Sequence, residues 1–224
     1  MELQLCIFDS DVSFVQGIKA IIDTKNISTQ STLEYFDRDF QKLVDHLATP
    51  IWGNKQQIIL CDIASLPEAR FKALSLLRNQ YLKGEQRQLI MLVEEGQVPL
   101  LSALFTELPL ASWFCKKEPP QELVNMLEHL RLTSFSAPYY SSMIRKSIEH
   151  YRNQAFSVPR YGITHTEWWL MEEILKGQSL TQIALNSGIS VKSVSYRKRR
   201  LMKKLNVTST VSLAQTFRHL TGFA

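Results

Sequence analysis

Residues 163–207 read ITHTEWWLMEEILKGQSLTQIALNSGISVKSVSYRKRRLMKKLNV. Thr164 and Glu167 form a T-x-x-E capping signature that opens a helix ending near Gly177. Ser179 is placed to cap a second helix, ending near Ser187–Gly188, and Ser190 to cap a third, running to about Leu205. Short amphipathic segments meeting at a Gly-centred turn have the spacing of a helix–turn–helix. In the third helix, Val191, Val194, Leu201 and Leu205 recur at helical intervals and are expected to pack inward. That leaves Lys192, Ser195, Tyr196, Arg199 and Lys203 facing out.

The same helix is strongly basic. Lys192, Arg197, Lys198, Arg199, Arg200, Lys203 and Lys204 fall within residues 191–204, with no acidic residue among them. On its own such a run can be an ordinary solvated face. Set in helix–turn–helix spacing, it suits the major groove of double-stranded DNA, where basic flanks neutralise phosphates and a few outward side chains reach base edges. Ser195 and Tyr196 are expected at bases, with Arg199 pairing bidentately with a guanine. Lys192, Arg197, Lys198, Arg200 and Lys203 are expected at phosphates, and Ser193 belongs to the same candidate interface. A further helix over Val211–Leu220 is a candidate for dimer contacts.

The charge of the whole chain agrees with this reading. From residue 160 onward there are ten Lys/Arg against three Asp/Glu, a net +7. The rest of the 224 residues has sixteen against eighteen, a net −2. Such asymmetry points to a nucleic-acid-facing domain joined to a neutral one. No signal peptide is visible, and no apolar run approaches the ~18 residues of a membrane span, so a cytoplasmic, nucleoid-associated protein with no membrane partner is expected. Cys6, Cys61 and Cys115 each lie in a short apolar run, as reduced core thiols do. A redox pair between Cys6 and Cys61 is the alternative if their strands are neighbours.

Residues 1–131 alternate between strand-like and helix-like segments. Strands are expected at Leu3–Phe8, Ile27–Ser31, Gln57–Cys61, Gln88–Val93 and Ser112–Cys115. Helices are expected at Val12–Asp23, Tyr35–Leu47, Ala69–Leu82, Val98–Thr106 and Gln121–Arg131. Regular alternation predicts a doubly wound α/β domain with a five-stranded parallel sheet, followed by an all-α helix–turn–helix domain. The expected division is a first domain over 1–131, a linker over 132–160 with a short helix at Met143–Arg152, and a DNA-binding domain over 161–224. In doubly wound folds functional residues collect at the carboxyl ends of strands, and Asp9, Asp62 and Lys116 fall there. No Gly-rich phosphate loop, nucleophile elbow or metal-ligand cluster is present in the sequence, and the five histidines are scattered. An enzyme is therefore not expected, nor a cofactor, a metal or a catalytic residue. A small-molecule sensor domain is disfavoured, because Trp52 and Trp113 are isolated rather than clustered round a pocket.

The segment from Gly162 to Leu220 resembles the LuxR/FixJ/NarL class of bacterial helix–turn–helix regulators. Glu167, Gly177, Ser179, Ile183, Ala184, Ser190, Ser193, Val194, Leu201 and Lys204–Leu205–Asn206–Val207 carry the likeness. Arg197 departs from it, standing where most members have His. The resemblance implies base contacts at Ser195, Tyr196 and Arg199. The first half resembles a response-regulator receiver, which takes a phosphoryl group on an aspartate beside magnesium. The resemblance matches Asp62 to the acceptor, Lys116 to the partnering lysine and Asp9 to one metal carboxylate. Ser10 stands at the second carboxylate position, although Asp11 beside it could partly substitute. Val93 stands where a Thr or Ser would bond the phosphoryl group. Asp9, Asp62 and Lys116 are thus expected to be a vestigial site, and magnesium binding to be weak.

Within that class, LLSALFTELPLASWFCKKEPPQEL and SVKSVSYRKRRLMKKLNV are similar to RcsB-type regulators and to their auxiliary partners of the RcsA and BglJ type. The likeness implies a transcriptional activator that does not depend on phosphorylation and pairs with an RcsB-type response regulator. The alternative is a phosphorylation-controlled homodimeric response regulator.

Overall fold

The computed structural model describes residues 2–25, 31–67, 70–84, 86–95, 104, 108–133, 137–153 and 163–221. Strands β1 (Glu2–Phe8), β2 (Ser31–Tyr35), β3 (Lys55–Asp62), β4 (Arg87–Val93) and β5 (Ser112–Cys115) form one sheet in the order β2-β1-β3-β4-β5. Every neighbouring pair is parallel. Both faces of the sheet are covered, which explains the near-continuous apolar runs of β1, β3, β4 and β5. Leu3, Leu5 and Ile7 of β1 face helices α1 (Val12–Lys25) and α4 (Pro120–Leu132). Cys6 and Phe8 face the opposite layer, built from α2 (Phe40–Ala48) and α3 (Arg70–Tyr81).

The second strand is found at Ser31–Tyr35, and residues 27–30 of the expected Ile27–Ser31 strand lie outside the described residues. One expectation along this half is corrected. The helix expected from Tyr35 begins at Phe40. Asp39 caps it, its side chain accepting from Lys42 N at 2.9 Å. Tyr35 and Phe36 mimic a helical stripe, but Tyr35 ends the edge strand and Phe36 is buried from the turn that follows. The helix expected at Val98–Thr106 falls outside the described residues except Leu104.

A polar ladder crosses the amino end of this sheet. Arg87 Nε donates to Gln57 Oε1 (2.8 Å), Gln57 Nε2 to Gln4 Oε1 (2.9 Å), and Gln4 Nε2 to Glu34 Oε1 (2.7 Å). A one-residue slip would turn each of these groups onto the wrong face, so the ladder specifies the register of four strands.

Helix α5 (Ser142–Asn153) follows within the residues assigned to the linker. Just before it, Tyr139–Ser141 run beside β5, with Tyr140 bridged in parallel to Trp113. The carboxyl-terminal part is all helical: α6 (His165–Leu175), α7 (Leu180–Ser187), α8 (Val191–Lys204) and α9 (Thr210–Thr221). The tight turn between α7 and α8 needs a left-handed residue, which Gly188 supplies at φ 66°. Leu170, Ile183, Ala184 and Val194 form the buried centre that holds α8 across α7. Trp168 packs its ring on Phe217 of α9, with centroids 4.9 Å apart. Core contacts continue from α3 to α6, joining Leu77 and Tyr81 to the cluster that holds Trp168 and Met171.

Candidate nucleic-acid interface and a closed acidic pocket

Helix α8 is capped by Ser190, whose hydroxyl accepts from Ser193 N at 3.2 Å. Val194 and Leu201 are fully buried, so the inward direction of the helix is set by these two residues. Lys192, Tyr196, Arg199 and Lys203 are exposed, Ser195 is half-buried, and all five lie within about a 100° arc on the far side, given roughly 100° per residue. Arg199 Nη2 reaches Ser195 Oγ at 3.4 Å, one turn away. Ser193 and Arg200 are exposed on one flank. Val191 corrects its expectation. It is exposed rather than packed inward, because it is the first residue of the helix and lies about 60° round from Val194.

The basic residues divide into two sets. Lys198 is half-buried and donates to Thr210 Oγ1 at the start of α9, at 2.8 Å. Arg197 is half-buried too. Lys204 turns inward and pairs with Glu167 Oε2 at 2.7 Å, both side chains being largely buried. Glu167 also completes the capping box of α6 by accepting from Thr164 N at 2.8 Å. Burial pushes the Glu167 carboxyl up, but Lys204 and Thr164 outweigh it and hold it below the usual carboxylate range. Lys204 therefore ties the end of α8 to the start of α6.

The carboxyl ends of β1, β3 and β5 bring Asp9, Asp62 and Lys116 together. The order of strands reverses between β1 and β3, the point where doubly wound sheets gather functional residues. Lys116 Nζ lies 2.8 Å from Asp9 Oδ2 and 3.1 Å from Asp62 Oδ1, with all three side chains buried. It also sits 5.0 Å from the centre of the Phe14 ring. Burial opposes the Lys116 ammonium, yet the two carboxylates outweigh it and raise its pKa. Burial raises the Asp9 carboxyl; Lys116 opposes that shift and Asp62 adds to it.

Ser65 closes the pocket, a role the sequence reading did not give it. Its hydroxyl donates to Asp62 Oδ2 at 2.5 Å and its backbone N–H donates to the same oxygen at 2.8 Å. Ser10 N donates to Ser65 Oγ at 2.8 Å, and the two hydroxyls lie 2.9 Å apart. Asp11 does not substitute for the missing carboxylate. Its side chain caps α1, accepting from Ser13 N (3.0 Å) and Phe14 N (3.1 Å). Val93 is buried at the end of β4 and brings no hydroxyl.

A receiver holds magnesium through a set of oxygen ligands, and the residues here do not fit that ion. Each oxygen of Asp62 already has a protein partner, Asp11 is turned to the helix end, and Lys116 bridges the two remaining carboxylates. Among the described residues no group of three His, Cys, Asp or Glu is placed to hold a metal.

The cysteine alternative is settled by register. Cys61 lies opposite Phe8 and Cys6 opposite Ile59, so the two thiols are diagonal neighbours. Strand spacing and rise put their Cα atoms roughly 8 Å apart, beyond the ~7 Å that a disulfide spans. Both thiols are buried, and burial pushes Cys6 up to about 12 and Cys61 well above its ordinary value. No helix of the described residues is long and apolar enough to cross a membrane.

Residues 162–217 match the family model described as bacterial regulatory proteins, luxR family. This part of the chain is a LuxR-type helix–turn–helix domain. The whole chain is similar in structure to RcsB from Salmonella enterica serovar Typhimurium bound to promoter rprA in the presence of the phosphomimetic BeF3-. Identity there is 17%, with 96% of this chain and 98% of that chain covered, at a TM-score of 0.63. It is also similar to RcsB in a structure of two dimers bound to two parallel DNAs, at 18% identity, 99% and 100% coverage and a TM-score of 0.58. At these identities the likeness shows the fold alone: a five-stranded parallel receiver-like sheet followed by a helical helix–turn–helix domain. The comparison with curated proteins found no match.

Proposed function

We propose that this chain is a DNA-binding transcriptional activator that works as one half of a heterodimer with an RcsB-type response regulator and does not need phosphorylation of Asp62. Residues 1–131 serve as the receiver-like assembly unit, 132–160 as the connection and 161–224 as the DNA-binding unit, in the cytoplasm at the nucleoid. The observation that carries the DNA reading is the outward arc of α8. Lys192, Ser195, Tyr196, Arg199 and Lys203 share it, and the core keeps it turned to solvent. Ser195, Tyr196 and Arg199 are the base-reading residues, while Lys192, Ser193, Arg197, Lys198, Arg200 and Lys203 hold phosphates. One similar RcsB structure is bound to promoter rprA and another to two parallel DNAs, which supports the same use of this helix.

The closed pocket supports independence from phosphate. A phosphoryl group on Asp62 would have to displace Ser65 or Lys116, and neither the second metal carboxylate nor the switch hydroxyl is there to receive it. The likeness of the chain to RcsA- and BglJ-type partners supports the heterodimer. Fluorescence anisotropy on a promoter fragment tests this, titrating the chain alone and then with an RcsB-type partner. Tight binding only with the partner is expected, and tight binding by the chain alone contradicts it.

A second reading, a phosphorylation-controlled homodimer, rests on the convergence of Asp9, Asp62 and Lys116. Phosphate-affinity electrophoresis after treatment with acetyl phosphate and magnesium separates the two. A stable modification at Asp62 that changes DNA affinity favours the second.

A further inference from the structure

The loop that carries Lys116 continues through Lys117 and Glu118 to Pro119, and it meets α5 head-on. Glu118 is buried. Its Oε1 accepts from Met143 N at 2.5 Å and its Oε2 from Cys115 N at 3.3 Å. Glu122, in the first turn of α4, uses Oε1 to accept from Ser142 N (3.0 Å), Ser142 Oγ (2.9 Å) and the Tyr139 hydroxyl (3.3 Å). The first N–H groups of a helix have no partner of their own and carry its positive end. Here two carboxylates from a different part of the chain supply both.

The backbone before α5 is fastened to the same strand. Trp113 N donates to Tyr139 O (2.9 Å), Ser141 N donates to Trp113 O (3.0 Å), and Tyr139 N donates to Ser112 Oγ (2.9 Å). Ser141 and Ile144 are fully buried. The outer edge of β5 is thus occupied by the chain's own residues 139–141.

We infer that Glu118 and Glu122 are positioning residues that clamp α5 to the Lys116 loop, so that the acidic pocket and the connection to the DNA-binding part move as one body. Two residues separate Lys116, whose ammonium closes the pocket, from Pro119, and one of them, Glu118, grips α5. The chain thus links pocket and connector directly, without the hydroxyl that Val93 lacks. The inference deepens the reading of the pocket as closed, but it stands on the clamp alone and its test needs no DNA.

The test is hydrogen–deuterium exchange on the full chain, read by mass spectrometry on peptides covering residues 137–153. Glu122→Ala is expected to raise exchange there by about tenfold, the loss that hydrogen bonds to a charged acceptor bring, with β1 and β3 unchanged. Glu122→Gln keeps an oxygen that accepts from Ser142 and is expected to retain most of the protection. Lys116→Met is expected to raise exchange over 137–153 as well as in the pocket. Three results overturn the inference: unchanged protection in Glu122→Ala, a Glu122→Ala loss spread evenly over the chain, or a Lys116→Met effect confined to the pocket.

Discussion

The acidic pocket and the basic helix use charge in opposite ways. In the pocket, Asp9, Asp62 and Lys116 are buried and each is answered by a neighbour in the same chain. On α8, Lys192, Arg199, Arg200 and Lys203 stand on an exposed surface. Removing one member of a buried, mutually satisfied set leaves an uncompensated charge in a poor solvent for it, so such a set acts on stability. An exposed like-charged arc contributes little to folding and sets up a field toward a partner. Lys204 shows that the distinction is not one of sequence position. It sits next to Lys203, yet its ammonium is held by Glu167.

The largest expected effect falls in the pocket. Lys116→Met leaves Asp9 and Asp62 facing each other in a buried site and should destabilise the chain by about 3–5 kcal/mol. Urea denaturation measures this, and a change within error of zero would break the comparison on its buried side.

Arg199→Ala should be next. It is expected to weaken binding to a cognate site by about tenfold to a hundredfold, with a smaller loss on random DNA. Lys203→Ala should weaken both alike and lower the salt slope by about one. Equal losses on both DNAs for both variants would show that the arc does not divide between reading and holding.

Lys204→Met sharpens the contrast between neighbours. Its salt slope should match that of the unmodified chain, while its stability falls. The Glu167 carboxyl is depressed in the folded state, so its contribution is present above the ordinary carboxylate pKa, about 4.5, and is lost as pH falls through the lower folded value. Thermal melts across pH 3–6 should show this acid loss in the unmodified chain and less of it in Lys204→Met.

The smallest effect concerns the thiols. Cys6 and Cys61 should stay unreactive to a thiol reagent in the native state and react on denaturation, with no change in melting under mild oxidant. Rapid labelling of either in the native protein would open the core of the sheet to doubt.

What could be read in the residues follows the range of the interactions. The central strands are legible because both faces are buried and the apolar runs are unbroken. The caps Thr164, Ser179 and Ser190 are legible because each acts within four residues. The edge strand β2 is paired with β1 alone, and its short STLEY pattern hides beside the aromatic pair Tyr35–Phe36. Asp11 had a local signal that went unused: an Asp placed immediately before an apolar-periodic helix is a cap before it is a metal ligand. Other features depend on distant pairs. Ser65 with Ser10, Glu167 with Lys204, and Trp113 with Tyr139–Ser141 meet only once the chain is folded. No periodicity or motif announces them, and they are what decides that the pocket is closed and that Lys204 is structural.

The most direct test is anisotropy of the chain with an RcsB-type partner on a promoter fragment, comparing the unmodified protein with Asp62→Asn at one physiological salt concentration. Asparagine still accepts from Ser65 but cannot take a phosphoryl group. Superimposable binding curves are predicted. Loss of binding by a folded Asp62→Asn would contradict the account and return the pocket to the role of a switch.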